Sequence, residues 1–161
     1  MKMSRALLKL SLAGAGLLLF GAAAHAQDNV RYVASAGHDA NPCTRTAPCH
    51  SLQRGVNATP PGGQLQVVDS AGYGPNVTIT QSITISARGI SATIITPAGV
   101  GITVNAPGAT VALRGLTING VGTGTDGIVA TAAASLHVEG CAVERFTGDG
   151  VRFSAFFWRA T

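Results

Sequence analysis

Two aspartates stand before glycine in this chain, Asp126 in 125-TDGIVA-130 and Asp149 in 148-GDGVRF-153, and Arg152 follows the second by three positions. A pair of carboxylates about 5 to 5.5 Å apart is the machinery of retaining glycoside hydrolysis. Two carboxylates also contribute to Ca²⁺ sites, and an arginine beside them is a candidate base. A second group is Cys43 and Cys49 with His38 and His50 nearby, since thiolates and imidazoles are zinc ligands. A third is the run Gly122, Gly124, Gly127, which reads G-x-G-x-x-G and holds a pyrophosphate where a strand precedes it and a helix follows.

Whether these residues do chemistry depends on the elements that carry them, and those elements repeat. A charged residue, a glycine and an apolar residue recur at Arg88-Gly89-Ile90, Arg114-Gly115-Leu116 and Glu139-Gly140-Cys141. A glycine with a β-branched run recurs at Gly101-Ile102-Thr103, Gly127-Ile128-Val129 and Gly150-Val151-Arg152. The two ladders advance together by about 25 residues, the mark of a stacked repeat. Apolar residues alternate within each unit, as in Leu116-Thr117-Ile118 and Leu136-His137-Val138, which is the strand period. Three short strands per unit predict a parallel solenoid in which each strand pairs with its equivalent one coil away.

The repeat settles the glycine run. Its counterpart one coil later, 144-ERFTGDGVRF-153, keeps the Asp-Gly but loses the G-x-G, and the following 128-IVATAAAS-135 aligns with strand-like sequence rather than helix. The run reads as a turn. Aligned in this way, Asp126 and Asp149 fall one strand spacing apart, about 4.8 Å at the backbone. Their competing role is turn chemistry, because Asp before Gly accepts local backbone amides. Arg152 is equally suited to pair with a carboxylate. Arg114 and Glu139 predict an exposed cross-rung pair, His137 an outward position, and Tyr73 a turn residue that, if exposed, could stack on a sugar.

The ends bound the compartment. Lys2, Arg5 and Lys9 precede an uncharged run from Leu10 to Ala24 and a small-x-small site, Ala24-His25-Ala26, the form of a secretory signal peptide over residues 1–26. Without it the chain keeps eight arginines against seven acidic residues, a net charge of +1. No basic block remains to neutralise phosphates, so nucleic acid is not an expected partner, nor is a membrane after cleavage. In an oxidising compartment Cys43 and Cys49, six apart in a proline-bearing loop, read as a disulfide; their spacing matches no standard zinc pattern. Cys141 is then the odd cysteine, expected as a small buried core residue.

Residues 27–63 form an N-terminal loop region with the cysteine pair and one short helix, residues 51–57, in which Ser51 is the N-cap and Leu52 and Val56 share a face. Its expected role is to cover the first coil of a stack over residues 64–153. After Phe153 the pattern stops, and four of the chain's eight aromatics fall in its last nine residues. An aromatic tail over 154–161 points to a fragment of a longer β-helix, to an improvised cap, or to end-to-end association of chains.

The stretch 32-YVASAGHDANPCTRTAPCHSLQRGV-56, the following Pro-Gly-Gly-x-Leu-x-Val strand and the coil 110-TVALRGLTINGVGTGTDGI-128 resemble the secreted right-handed parallel β-helix proteins of the pectin-lyase-like superfamily. The resemblance implies an all-β, right-handed parallel β-helix and an association with polysaccharide. Enzymes of that superfamily set acidic residues, and in lyases a basic one, on one outer face, where lyases usually hold Ca²⁺. The implied catalytic set here is Asp126, Asp149 and Arg152. The reading that the sequence favours is a secreted, non-catalytic β-helix module that binds or presents a surface and needs no cofactor. The alternative is a polysaccharide lyase or glycoside hydrolase at the Asp126/Asp149 face, with Ca²⁺ implied only there.

Overall fold

The computed structural model describes residues 29–154. The expected leader over 1–26 and the expected aromatic tail from residue 155 onward lie outside the described residues. Along the chain come β1 (Val30–Val33), α1 (Leu52–Ala58), β2 (Gly63–Val67), β3 (Ala71–Gly72), β4 (Val77–Ile79), β5 (Ile83–Ser86), β6 (Ala92–Ile95), β7 (Val100–Asn105), β8 (Thr110–Arg114), β9 (Leu116–Asn119), β10 (Asp126–Ala132), β11 (Ser135–Glu139), β12 (Ala142–Glu144) and β13 (Val151–Phe153). The strands form three wholly parallel sheets, ordered β1-β2-β5-β8-β11, β3-β6-β9-β12 and β4-β7-β10-β13. Among the described residues each turn of chain adds one strand to every sheet, so they form a parallel β-solenoid of about three turns whose strands stack in four rungs.

Inward residues stack into columns. Leu65, Ile85 and Leu113 are in register and fully buried, and so are Val77, Ile102 and Ile128. A strand two to seven residues long cannot hold its own apolar face out of water. Each buried side chain gains about 1.5–3 kcal/mol only because its counterparts above and below complete the cover.

The register also corrects the repeat. Ile85 pairs with Leu113 and Ser86 with Arg114, whereas Ala92 pairs with Leu116. Arg88 is therefore not the structural equivalent of Arg114. Five residues, 87–91, join β5 to β6, but Gly115 alone joins β8 to β9, so Arg88-Gly89 sits in a turn that the next rung lacks. The Gly101, Gly127 and Gly150 landmarks do hold their alignment, through Ile102–Ile128 and Ile128–Val151.

The first rung is closed by α1. Ser51 takes the N-cap, accepting the Arg54 N–H at 3.2 Å, and Leu52 and Val56 are buried. Gly55, a poor helix former, is there for space: a Cβ would come within 2.7 Å of Leu65 Cδ1. Cys43 and Cys49 form a disulfide with Cα atoms 4.7 Å apart. The histidines turn elsewhere: His38 Nδ1 lies 3.2 Å from the Ala40 N–H and His50 Nδ1 lies 3.1 Å from the Ser35 carbonyl.

Two aspartates lock this cap. Asp39 accepts the Ser51 hydroxyl (2.6 Å) and the N–H groups of Ser51 (2.8 Å) and His50 (2.9 Å). Asp69 accepts the hydroxyl and N–H of Ser35 and the phenol of Tyr73. Tyr73 is thus not an exposed turn aromatic but a core residue, 1% exposed. Its inward position and its hydrogen bond to Asp69 leave no face for a sugar. Burial, with the Asp69 carboxylate beside it, pushes the Tyr73 phenol up. The Ser35 hydroxyl and the Tyr73 phenol hold the Asp69 carboxyl below the usual carboxylate range.

A carboxyl depressed on folding stabilises the protein above its unfolded pKa of about 4, and that contribution is lost as pH falls through the lower folded value. Unfolding by urea at neutral pH and below about pH 3.5 should therefore show Asp69→Asn losing about 1–3 kcal/mol at neutral pH, with a shallower acid dependence than wild type. An unchanged acid slope would show that Asp69 does not set it.

Candidate functional site

Asp126, Asp149 and Arg152 meet at the corner that leads into the β4-β7-β10-β13 sheet. Asp126 opens β10 opposite Val100. Asp149 precedes β13, whose Val151 pairs with Ile128. Asp126 Oδ1 accepts the Asp149 N–H at 2.9 Å, and Oδ2 accepts Arg152 Nη2 at 2.9 Å. Arg152 Nε stands 3.9 Å from Asp149 Oδ2. The Asp126 side chain is 15% exposed and that of Asp149 is 64% exposed. Each oxygen of Asp126 holds one donor and keeps a further lone pair, so the two bonds fix the carboxylate's orientation without exhausting its acceptor capacity. Asp149 is the freer carboxylate. Among the described residues no group of three or more His, Cys, Asp or Glu gathers to hold a metal ion.

A second cluster lies where the β1-β2-β5-β8-β11 sheet turns toward β6, β9 and β12. Glu139 sits opposite Arg114 in register, and Arg114 Nε reaches it at 3.2 Å. Arg88 reaches across from the long 87–91 turn and donates from Nη2 to the same carboxylate at 2.6 Å. Slight desolvation raises the Glu139 carboxyl, but the Arg114 and Arg88 guanidiniums outweigh it and hold the group below the usual range. Two guanidiniums sharing one carboxylate leave an excess positive charge. Arg88, with its side chain 63% exposed, keeps most of its five N–H donors open to solvent.

Beside these charges runs a shallow groove of ≈ 520 Å³ that touches all four rungs, lined by Ser70, Gly89, Ser91, Gly115, Thr117 and Gly140 among others. It continues into a hollow of ≈ 340 Å³ lined by Arg88 and Glu139 and by the same glycines. The cross-rung Arg114–Glu139 pair was legible in the repeat. Arg88 joining it was not, because its place depends on a turn that only one rung possesses.

Two other expectations resolve on the same grounds. His137 is outward and exposed. Cys141 is half-buried rather than a sealed core residue; it lies in the last rung, and its Sγ is 3.5 Å from the Leu113 carbonyl oxygen. No family model, curated protein or solved structure matches this chain.

The glycine run Gly122, Gly124, Gly127 forms a turn that leads into strand β10, not into a helix. Gly124 and Gly127 answer to packing, whereas Gly122, with φ +84° and open space around it, answers to backbone conformation. A Cβ on Gly124 would stand 2.6 Å from the Thr96 carbonyl oxygen and 2.9 Å from the Phe146 ring, and one on Gly120 would meet the same ring at 2.6 Å. Gly120 and Gly124 carry no Cβ where Phe146 of the next coil lies against the turn. Gly124→Ala should therefore cost about 1–3 kcal/mol of stability, read from the midpoint of denaturant unfolding; an unchanged midpoint would show that Phe146 does not need the space.

Proposed function

We propose that this chain is an exported, non-catalytic β-helix module of pectin-lyase-like type that binds an acidic polysaccharide along the groove beside Arg88, Arg114 and Glu139. The observation that carries the reading is the shared carboxylate. Two arginines converge on Glu139, which leaves net positive charge and unspent planar donors beside a groove lined in part by glycines. A guanidinium presents paired N–H groups that match a uronate carboxylate. The rungs repeat along the groove at about 4.8 Å, so a polymer lying lengthwise meets hydroxyl and backbone groups at regular intervals. Export is supported by the leader-like residues 1–26 and by the disulfide. Among the described residues no helix is long and apolar enough to cross a membrane.

The contact of Asp126, Asp149 and Arg152 supports a second reading, a polysaccharide lyase or hydrolase, in which Asp149 is the more exposed carboxylate. Both readings submit to one experiment on residues 27–161 with polygalacturonate, neutral dextran as control, and Ca²⁺ present or absent. The binding reading expects retention on the acidic polymer alone, weakened by salt and about tenfold by Arg88→Glu, with no unsaturated or shortened product. Equal retention on dextran, or no effect of Arg88→Glu, contradicts it. Product release abolished by Asp149→Asn, with folding intact, would establish the enzyme instead.

A further inference from the structure

We infer that Glu139 is a built-in competitor for the carboxylate that the groove binds and so limits how tightly it holds an acidic chain, a role that rests on the groove's being a polysaccharide site. The way one carboxylate is shared between two guanidiniums carries this. Arg88 Nη2 and Arg114 Nε both meet the same oxygen, Oε2, at 2.6 and 3.2 Å. Arg114 Nη2 reaches Oε1 only at 3.4 Å, and the Arg114 Nε is buried without an aligned hydrogen-bond partner. A guanidinium is matched by a carboxylate when two parallel N–H groups meet its two oxygens. Glu139 offers Arg88 one bond and Arg114 one long bond. The cluster therefore has donors for a second carboxylate.

The two arginines are not equally free to accept one. Arg114 and Glu139 face each other in register, so they remain neighbours whatever else binds. Arg88 stands on the turn after β5, and β8 separates β5 from β11. It reaches Glu139 from a distance, with its side chain 63% exposed. Both residues line the small hollow whose remaining walls are Gly89, Gly115 and Gly140, glycines that put no side chain in the way of a ligand.

An exposed ion pair holds its partners weakly, whereas an acidic polymer delivers many carboxylates at high local concentration. A uronate carboxylate entering the hollow takes Arg88 from Glu139, and Glu139 keeps Arg114. One ion pair is exchanged for another, and each guanidinium ends with a carboxylate of its own. A neutral sugar brings nothing to exchange and leaves the Arg88–Glu139 pair in place. Without the Glu139 charge, both guanidiniums would face the polymer unopposed.

The test is the affinity of the purified protein for polygalacturonate at low ionic strength, with neutral dextran as control, for wild type and Glu139→Gln. Glutamine keeps the length and an acceptor oxygen for the arginines but gives up the charge. The expected result is about three- to tenfold tighter binding by Glu139→Gln, a gain that shrinks in about 0.5 M salt. Glu144→Gln removes a like charge from a residue that lines neither hollow, and it should gain less. If Glu139 served only to hold the arginines in place, its loss would loosen them. Unchanged or weaker binding by Glu139→Gln, beside a wild type that binds, would thus overturn this role and leave the binding site standing, as would an equal gain from Glu144→Gln. Failure of every form to bind would overturn the binding site and this role together. Should Glu139→Gln not fold, the wild type still decides. Its Glu139 carboxyl carbon, followed by nuclear magnetic resonance as galacturonate oligomers are added, should shift as Arg88 leaves; a signal unmoved at saturation would contradict the exchange.

Discussion

Parallel pairing between equivalent residues of successive rungs is the constraint on which everything else rests. Because strands this short shelter little by themselves, the core exists only as columns such as Leu65–Ile85–Leu113 and Val77–Ile102–Ile128. Column geometry then dictates the rest. Outward positions repeat in the same way and bring Arg114 against Glu139 and Asp126 against Asp149, so the polar clusters are by-products of the register. Among the described residues the two ends of the stack differ, since α1 finishes the columns of the first rung.

Much of this was legible in the sequence, since repetition leaves marks that do not depend on distant contacts. The alternation of Leu116-Thr117-Ile118, the Asp-Gly starts at 126 and 149, the N-cap Ser51 and the cysteine pair all led to their observed elements. The right coil length nonetheless concealed unequal parts. Equivalent residues lie 28 apart from Ile85 to Leu113, 24 apart from Ile94 to Ile118 and 26 apart from Ile102 to Ile128. The turns lengthen and shorten in compensation, so a 26-residue landmark at Arg88 matched in spacing but missed the register. The residues that sequence reasoning misplaced or passed over, Arg88, Tyr73, Asp39 and Asp69, take their positions from irregular turns and the cap, where no periodicity reports the fold.

The glycines show the same division. A repeat makes Gly101 and Gly127 visible as landmarks, but their reason lies in the neighbouring coil, just as Gly120 and Gly124 carry no Cβ where the Phe146 ring rests on their turn. A motif shape that elsewhere means phosphate binding here means a side chain from the next rung. The guanidinium-lipped groove, by contrast, draws both its glycines and its charges from residues first noticed as markers of the repeat.

The most direct test of the account is backbone proton contact across the sheets by nuclear magnetic resonance on the isotopically labelled protein. The account predicts contacts between Ile85 and Leu113, between Ile94 and Ile118 and between Ile102 and Ile128, all in parallel geometry. Contacts at a uniform 26-residue offset that bring Arg88 opposite Arg114, or antiparallel contacts within a rung, would contradict it.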